Sequence, residues 1–475
     1  MAKSLLPGLV LGALILSGCG NDSAARNNNQ PLCPCPSDAG TAEAQRAETQ
    51  RAETQRGQPQ GAPCPEVEVA AKAPAPDNPS GARAGGPKAP AVKLGIDVLL
   101  DSRADLVEGK KVGLITNSSA VDGALAMTVD RLIDDPRVKV VQLYSPEHGL
   151  AGAMRNGQSD KEASYERGGR KIPVQGLTGD RWQPSPESLR KIDVLIFDIQ
   201  DIGSRTYTYI STLGLAMQAA RAAKVPIIVL DRPNPLGGLV FEGPIREDQY
   251  KSFIGWGPLP VSHGMTAGEV ARFYNEELKI GCELIVVEME GWRRQMVWQD
   301  TGLTWVPTSP GIPHPHNAQL YIATGMVGGS GPNVNEGGGN SMPFELIGAL
   351  FVDDPRILAD RLNAAGLPGL TFRPLIYRPW GRQFKDMDVA GVHLMVHDPA
   401  AFRPLRTALT ILTTLQALYG DELVIDDDRR FGRTWGNDWI LPMIRRGKTP
   451  AEIEARWAPE LDAFAQKRAR HLIYP

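Results

Sequence analysis

Residues 138–149, VKVVQLYSPEHG, constrain the fold more than any other stretch of the chain. Val138 to Tyr144 follows the turn signal Asp134-Asp135-Pro136 and is short, apolar and β-branched, so it reads as a buried strand. The run stops at Ser145-Pro146-Glu147-His148-Gly149, which puts a carboxylate and an imidazole at the strand's C-terminal edge. Pro146 has a fixed φ and Gly149 can take φ > 0, so the backbone there can hold Glu147 in one direction.

The pattern repeats on either side. Lys110–Thr116 ends at Asn117-Ser118-Ser119. Val194–Ile199 runs into Gln200–Tyr209, and Pro226–Leu230 ends at Asp231-Arg232-Pro233-Asn234-Pro235. Helical segments at Thr128–Ile133, Pro186–Lys191 and Ser211–Ala223 lie between them. Strands that alternate with helices, and are apolar almost without interruption, predict an α/β fold: a Rossmann-like doubly wound parallel sheet covered on both faces. Parallel strands place all their C-termini on one edge, and in open α/β sheets ligands bind at that edge. Asn117, Glu147, His148, Asp201, Arg205, Asp231 and Asn234 all fall just after strands, so their side chains are expected to converge. The competing reading makes the Asn and Asp residues turn formers and helix caps.

Further on, Thr266 and Glu269 form a capping box that opens a helix reaching about Leu278, followed by a strand at Glu283–Val287. Glu269 is thereby structural, and His263 just before it is expected to line the site. The glycine-rich run Gly328–Gly339 lacks the lysine and the preceding strand of a phosphate loop. It reads as a loop whose backbone closely approaches a ligand or the other domain, with Asn333 and Glu336 as its polar members. No Walker sequence and no Gly-x-Gly-x-x-Gly opening a helix after a strand occurs, so no nucleotide or other cofactor is expected. Gly-x-Ser-x-Gly is also absent, which removes support for a hydrolase serine. His314 and His316 lie in a Pro-rich loop, and His393 and His397 in a strand with no acidic cluster around it, so no metal is expected. After about residue 301 the pattern changes. A helix beginning in Pro343–Val352, a strand at Ala390–Val396, an amphipathic helix at Ala401–Leu418 and one or two helices within Pro450–His471 predict a smaller α+β C-terminal domain. It spans residues 301–475 and follows a Rossmann-like domain at 93–300.

The leader carries its own message. Lys3 precedes an apolar run, Leu5–Leu16, too short to span a membrane, so residues 1–18 read as a signal peptide. Leu16-Ser17-Gly18-Cys19 resembles a bacterial lipobox, which implies cleavage before Cys19 and acylation of its thiol. Gly20 in place of Asp resembles the sorting pattern for an outer membrane. Residues 19–92, with tandem Arg-Ala-Glu-Thr-Gln units at 46–50 and 51–55 and few large apolar side chains, cannot build a core and read as a tether. About 73 residues of flexible coil span roughly 45–50 Å. These features place the globular part on the periplasmic side of the cell envelope. Cys33, Cys35 and Cys64 lie in the tether, while Cys282 reads as a small buried hydrophobe. The formal net charge of -3 offers no basic face to nucleic acid.

Together the motifs resemble a known family. Ser145–Gly149, Asp198–Tyr209, Asp231–Pro235, His263-Gly264-Met265-Thr266, Asn333–Gly337 and Pro343-Phe344-Glu345 follow one another as in the bacterial exo-β-N-acetylmuramidases of peptidoglycan recycling. The resemblance covers about residue 93 to the C-terminus. It implies release of terminal non-reducing N-acetylmuramic acid from peptidoglycan fragments, a Rossmann-like domain bearing the active site, and Glu147 as the catalytic acid.

The second catalytic group is left open: Asp201 or Asp231 by position, or the sugar's own 2-acetamido group oriented by Tyr207 or Asp201. His148 is placed beside Glu147 in the catalytic set. Arg205 is assigned to the lactyl carboxylate for its bidentate geometry, while Arg232, before Pro233, can brace its loop. Asn117, Tyr209, Asp231, Asn234, His263, Asn333 and Glu336 complete the expected sugar contacts. The chain departs from the family pattern at Ser330-Gly331-Pro332-Asn333, at Gly338 and at Ser262, where the family usually has Glu-Gly-Thr-Asn, Arg and Arg. These departures favour a second reading, a lipid-anchored glycan-binding protein that does not cleave. Retention of Glu147, His148, Asp201 and Arg205 opposes it.

Overall fold

The computed structural model describes residues 92–475, apart from residues 180 and 426–427. The segments read from the sequence as signal peptide and tether, with Cys19, lie outside the described residues. Among the described residues, no helix is long and apolar enough to cross a membrane.

Seven strands form the main sheet: β1 (Lys111–Thr116), β2 (Lys139–Ser145), β3 (Glu162–Arg167), β4 (Arg170–Gly176), β5 (Val194–Asp198), β6 (Ile227–Leu230) and β7 (Leu284–Val287). Their spatial order is β3-β4-β2-β1-β5-β6-β7, and every pairing is parallel except the β3–β4 hairpin. Without the edge strand β3 the order is third-second-first-fourth-fifth-sixth, the Rossmann arrangement. The order reverses between β1 and β5, whose last residues, Thr116 and Asp198, are in register.

Near-continuous apolar strands bury side chains on both faces. Ile115, Tyr144, Phe197 and Val229 pack on one face with α3 (Pro186–Leu189), α4 (Tyr209–Ala223) and α5 (Ala267–Glu277). Leu114, Leu143, Ile196 and Ile228 pack on the other with α1 (Gly95–Ser102) and α2 (Thr128–Asp134). The five strands expected here from the sequence end within one residue of the observed ones. The β3–β4 hairpin was not expected. Its strands are polar, and its turn is Gly168-Gly169, both at positive φ.

The remaining chain forms α6 (Pro315–Leu320), a π-helical turn at Tyr321–Gly325, α7 (Met326–Gly329), α8 (Pro355–Asn363), α9 (Pro404–Tyr419), α10 (Asp428–Trp435), α11 (Ile440–Arg445) and α12 (Pro450–Ala469). These pack with an antiparallel sheet of β8 (Leu346–Ala349), β9 (Leu370–Tyr377) and β10 (Val389–Val396) in the order β8-β10-β9. The helix expected from Pro343 is instead the strand β8. Phe344 at φ 65° is incompatible with a helix, and Leu346–Ala349 pairs with Ala390–His393. The chain end returns to the main sheet, where the Tyr474 hydroxyl donates to Asp231 Oδ2 at 2.7 Å.

Candidate active site

Glu147 emerges from β2 at the carboxyl edge of the sheet, and both its oxygens are held. Oε1 accepts from the Gly157 N–H at 2.5 Å, and Oε2 accepts from the Thr208 hydroxyl at 2.6 Å. Thr208 is the N-cap residue of α4, so the carboxylate stands at the positive end of a 15-residue helix. The turn that aims it is tight. His148 sits at φ 74° and Gly149 at φ 76°, and the Gly149 N–H donates to Pro146 O at 3.0 Å. His148 fixes the loop behind: its N–H donates to Gln158 O at 2.7 Å and its Nδ1–H to Met154 O at 2.8 Å. A non-glycine residue at positive φ beside Glu147 marks backbone held against its preference.

Glu147 and His148 line a cavity of about 270 Å³ together with Tyr207, Tyr321, Phe344 and residues 153–156, 206–208 and 309–312. This is at the small end of ligand pockets, which run to roughly 300–1,000 Å³, and it suits one sugar ring rather than a chain. One wall is aromatic: Tyr209, Tyr207, Tyr321 and Phe344 meet edge-to-face in sequence at 4.8, 5.8 and 5.0 Å. Gly311 lies close to this wall: a Cβ there would be 3.0 Å from the Phe344 ring. Burial pushes the Tyr207 phenol well above its ordinary range and the Tyr321 phenol up to about 12, so both remain protonated donors. Among the described residues lining this cavity, Glu147 carries the only carboxylate.

The other expected residues separate into three groups. Tyr209 and Asn117 back the wall. Asn117 Nδ2 donates to the Tyr209 hydroxyl at 2.9 Å, which donates to Thr308 O at 2.6 Å, while Tyr207 bonds Thr308 Oγ1 at 2.7 Å. Asp201 and His263 form a buried pair that does not line the cavity. Asp201 Oδ2 accepts from Gly203 N–H at 2.7 Å and lies 3.5 Å from His263 Nε2, while Oδ1 has no hydrogen-bond partner among the described residues. His263 Nδ1 accepts from the Met265 N–H at 3.2 Å, which leaves Nε2 as the protonated nitrogen facing Asp201.

The third group is structural. Arg205 is buried and is not among the residues lining the cavity; its Nη2 donates to Thr434 O at 3.0 Å, while Nε and Nη1 have no hydrogen-bond partner among the described residues. Desolvation, aided by nearby Arg246, drops its pKa to about 9. Asp231 accepts from the Thr266 and Tyr474 hydroxyls and from the Arg232 and Gly268 N–H groups, which occupies both oxygens; burial lifts its pKa to about 6. Asn234 bonds Met265 O and the Leu236 N–H. Arg232 forms a buried ion pair with Asp198, bracing β6 against β5. Glu269 completes the capping box with Thr266 and pairs with Arg294. Cys282 is buried, as expected.

The glycine-rich loop does approach other backbone closely. A Cβ at Gly339 would sit 2.0 Å from Gly381 O, and the Trp380 N–H donates to Gly339 O at 2.8 Å. Asn333 is pinned to Glu422 O and the Val424 N–H rather than to the cavity. Glu336 packs under Gly328 and Gly338, where burial raises its pKa. The histidines bring a correction. His316 and His393, one from each pair read from the sequence, meet Glu345 at 3.3 Å on its two oxygens, so an acidic partner is present.

Sequence reasoning missed Gly157, Thr208, Thr308, Tyr321 and Arg382. Thr208 and Phe344 lay inside quoted motifs without an assigned role. Tyr321 and Arg382 come from the C-terminal half, and no motif marks them.

Residues 112–316 match a family model described as exo-beta-N-acetylmuramidase NamZ, N-terminal, and residues 319–474 match its C-terminal counterpart. The chain is 40% identical over 387 residues to the peptidoglycan beta-N-acetylmuramidase NamZ of Bacillus subtilis (strain 168), covering 82% of this chain and 92% of that one. A crystal structure of a DUF1343 family protein from Bacteroides fragilis NCTC 9343 is similar at TM-score 0.76 and 38% identity, over 82% of this chain and 100% of that one. A second such protein from the same organism reaches 0.61 at 26% identity, over 81% and 99%.

Proposed function

The chain belongs to the NamZ exo-β-N-acetylmuramidase family, and we propose that it hydrolyses terminal non-reducing N-acetylmuramic acid from peptidoglycan fragments with Glu147 as the proton donor. The observation that carries the assignment of Glu147 is its position: a half-buried carboxylate at the carboxyl edge of a Rossmann-like sheet, bonded on both oxygens, in a pocket with a tyrosine wall. The leaving oxygen takes its proton from Glu147. With no second carboxylate among the lining residues described, the sugar's 2-acetamido oxygen supplies the attacking group, as in substrate-assisted glycosidases. Tyr207 and Tyr321 are the tyrosines of the lining available to orient it, with their hydroxyls otherwise on Thr308 and Thr206. A pocket rather than a groove suits exo action on a chain end.

The test is release of the aryl group from a 4-nitrophenyl β-N-acetylmuramide. A general acid is worth about 10²–10⁴ in rate, so Glu147→Gln should lose at least the lower figure on natural disaccharide fragments. It should lose less on the activated aryl substrate, whose oxygen leaves without protonation. A parent protein that binds muramic acid glycosides and cleaves neither substrate would establish the binding-protein reading instead.

The lipobox at Leu16–Cys19 supports a lipid-anchored protein on the periplasmic side of the envelope, at the outer membrane, with its substrate met at the end of the tether. Cys19→Ala should abolish labelling by a palmitate analogue. Label that persists in the variant would sink the anchor.

A further inference from the structure

We propose that Arg382, from the β9–β10 loop of the C-terminal half, binds the lactyl carboxylate of the terminal muramic acid and thereby sets the enzyme's preference for muramic acid over N-acetylglucosamine. The proposal rests on the muramidase reading above. The two sugars differ only by the lactyl ether, whose carboxylate is anionic at neutral pH, so selection between them calls for a cation at the pocket. Arg205, expected for this role, is buried against Thr434 and does not reach the cavity.

Arg382 does line it, as does Arg155. Arg382 stands at φ 60° on a backbone tied down on either side: Trp380 N–H donates to Gly339 O at 2.8 Å, and Gln383 O accepts from Asn335 Nδ2 at 3.3 Å. Its stem lies over Gly338, where a Cβ would be 3.1 Å from Arg382 Cδ. The absence of a side chain at 338 gives the guanidinium its path. The head reaches across to the loop behind Glu147, and Nη2 donates to Asn156 Oδ1 at 3.2 Å. Among the described residues no carboxylate forms an ion pair with Arg382, although the buried Glu336 beside Gly338 feels its charge, and Asn156 uses one of its five N–H donors. The planar fork therefore keeps donors for a bidentate carboxylate. Residue 382 also links the two halves of the molecule, so a bound carboxylate would tie the C-terminal loop to the Glu147 loop.

The test compares the parent with Arg382→Ala and Arg382→Lys. Substrates are 4-nitrophenyl β-N-acetylmuramide, its lactyl methyl ester and 4-nitrophenyl β-N-acetylglucosaminide. Binding of free N-acetylmuramic acid is followed by calorimetry. Loss of a charge-assisted contact is expected to lower kcat/KM of Arg382→Ala on the muramide by roughly 10- to 100-fold, mostly through KM. The methyl ester and the glucosaminide should be unaffected, and Arg382→Lys should fall between. Equal rates for parent and Arg382→Ala on the free acid would overturn the proposal and leave the muramidase intact. So would equal losses on acid and ester. If the parent cleaves nothing, the muramidase reading fails and calorimetry decides. Muramic acid binding lost in Arg382→Ala upholds recognition by Arg382; unchanged or absent binding ends it.

Discussion

Thr208 donates its hydroxyl to Glu147 Oε2 at 2.6 Å, across a gap of 61 residues in sequence. The bond joins the end of β2 to the start of α4, the two elements that flank the switch edge. It sets which way the carboxylate faces, while Gly157 closes the other oxygen. Thr208→Val keeps the shape and removes the donor. Hydrogen bonds to charged groups are worth about 1.5–3 kcal/mol, so kcat should fall roughly 10- to 100-fold with KM little changed. The steady-state split decides: a variant with parent kcat would show that Thr208 does not position Glu147.

Asp231 follows β6 and looks from sequence like a site residue, yet all four of its contacts are internal. Asp231→Asn replaces an oxygen that accepts two hydrogen bonds with a donor amide, at a predicted loss of about 1–3 kcal/mol in stability. Chemical denaturation should show that loss while KM for the muramide stays at the parent value. A raised KM with unchanged stability would return Asp231 to the substrate.

Much of the sheet was legible in the sequence because parallel strands buried on both faces leave long apolar runs, as in Val194–Asp198. The β3–β4 hairpin was not, since an edge pair half open to solvent carries no such run. Pro343–Val352 was misread because pairing with β10 decided its state, and pairing partners distant in sequence are invisible to local pattern. At the site, Glu147 was legible for its motif and its place after a strand. Arg205 shared both marks and turned inward, because polar residues after strands serve turns and packing as readily as ligands. Arg382 had neither mark. Its relevance exists only once the C-terminal loop folds against Asn156.

Glu345 makes stability depend on pH. Hydrogen bonds from His316, then His393, hold its carboxyl well below the usual carboxylate range. The unfolded chain takes up that proton near pH 4.3, and the folded chain only at lower pH. The contribution to stability is therefore full above about pH 4.3 and is lost as pH falls below it. Denaturation midpoints measured from pH 7 to pH 3 should drop less steeply for Glu345→Gln than for the parent. Parallel slopes would show that the cluster does not couple to folding.

The single carboxylate lining the cavity predicts the stereochemical course. If the 2-acetamido oxygen attacks the anomeric carbon while Glu147 protonates the leaving oxygen, the intermediate is an oxazolinium ion bonded to no side chain. Water then enters from the face the leaving group vacated, with Glu147 as base, and the first-formed product is the β-anomer. Proton NMR during the first minutes of hydrolysis should show β-N-acetylmuramic acid appearing ahead of the α form. A thiazoline analogue of muramic acid, which mimics the bicyclic intermediate, should inhibit competitively and bind at least about 10²-fold more tightly than the free sugar. A substrate whose 2-amino group is not acetylated should not turn over. Initial release of the α-anomer, or a sugar found covalently attached to the protein by mass spectrometry, would show that a carboxylate outside the described pocket lining attacks the sugar or activates water.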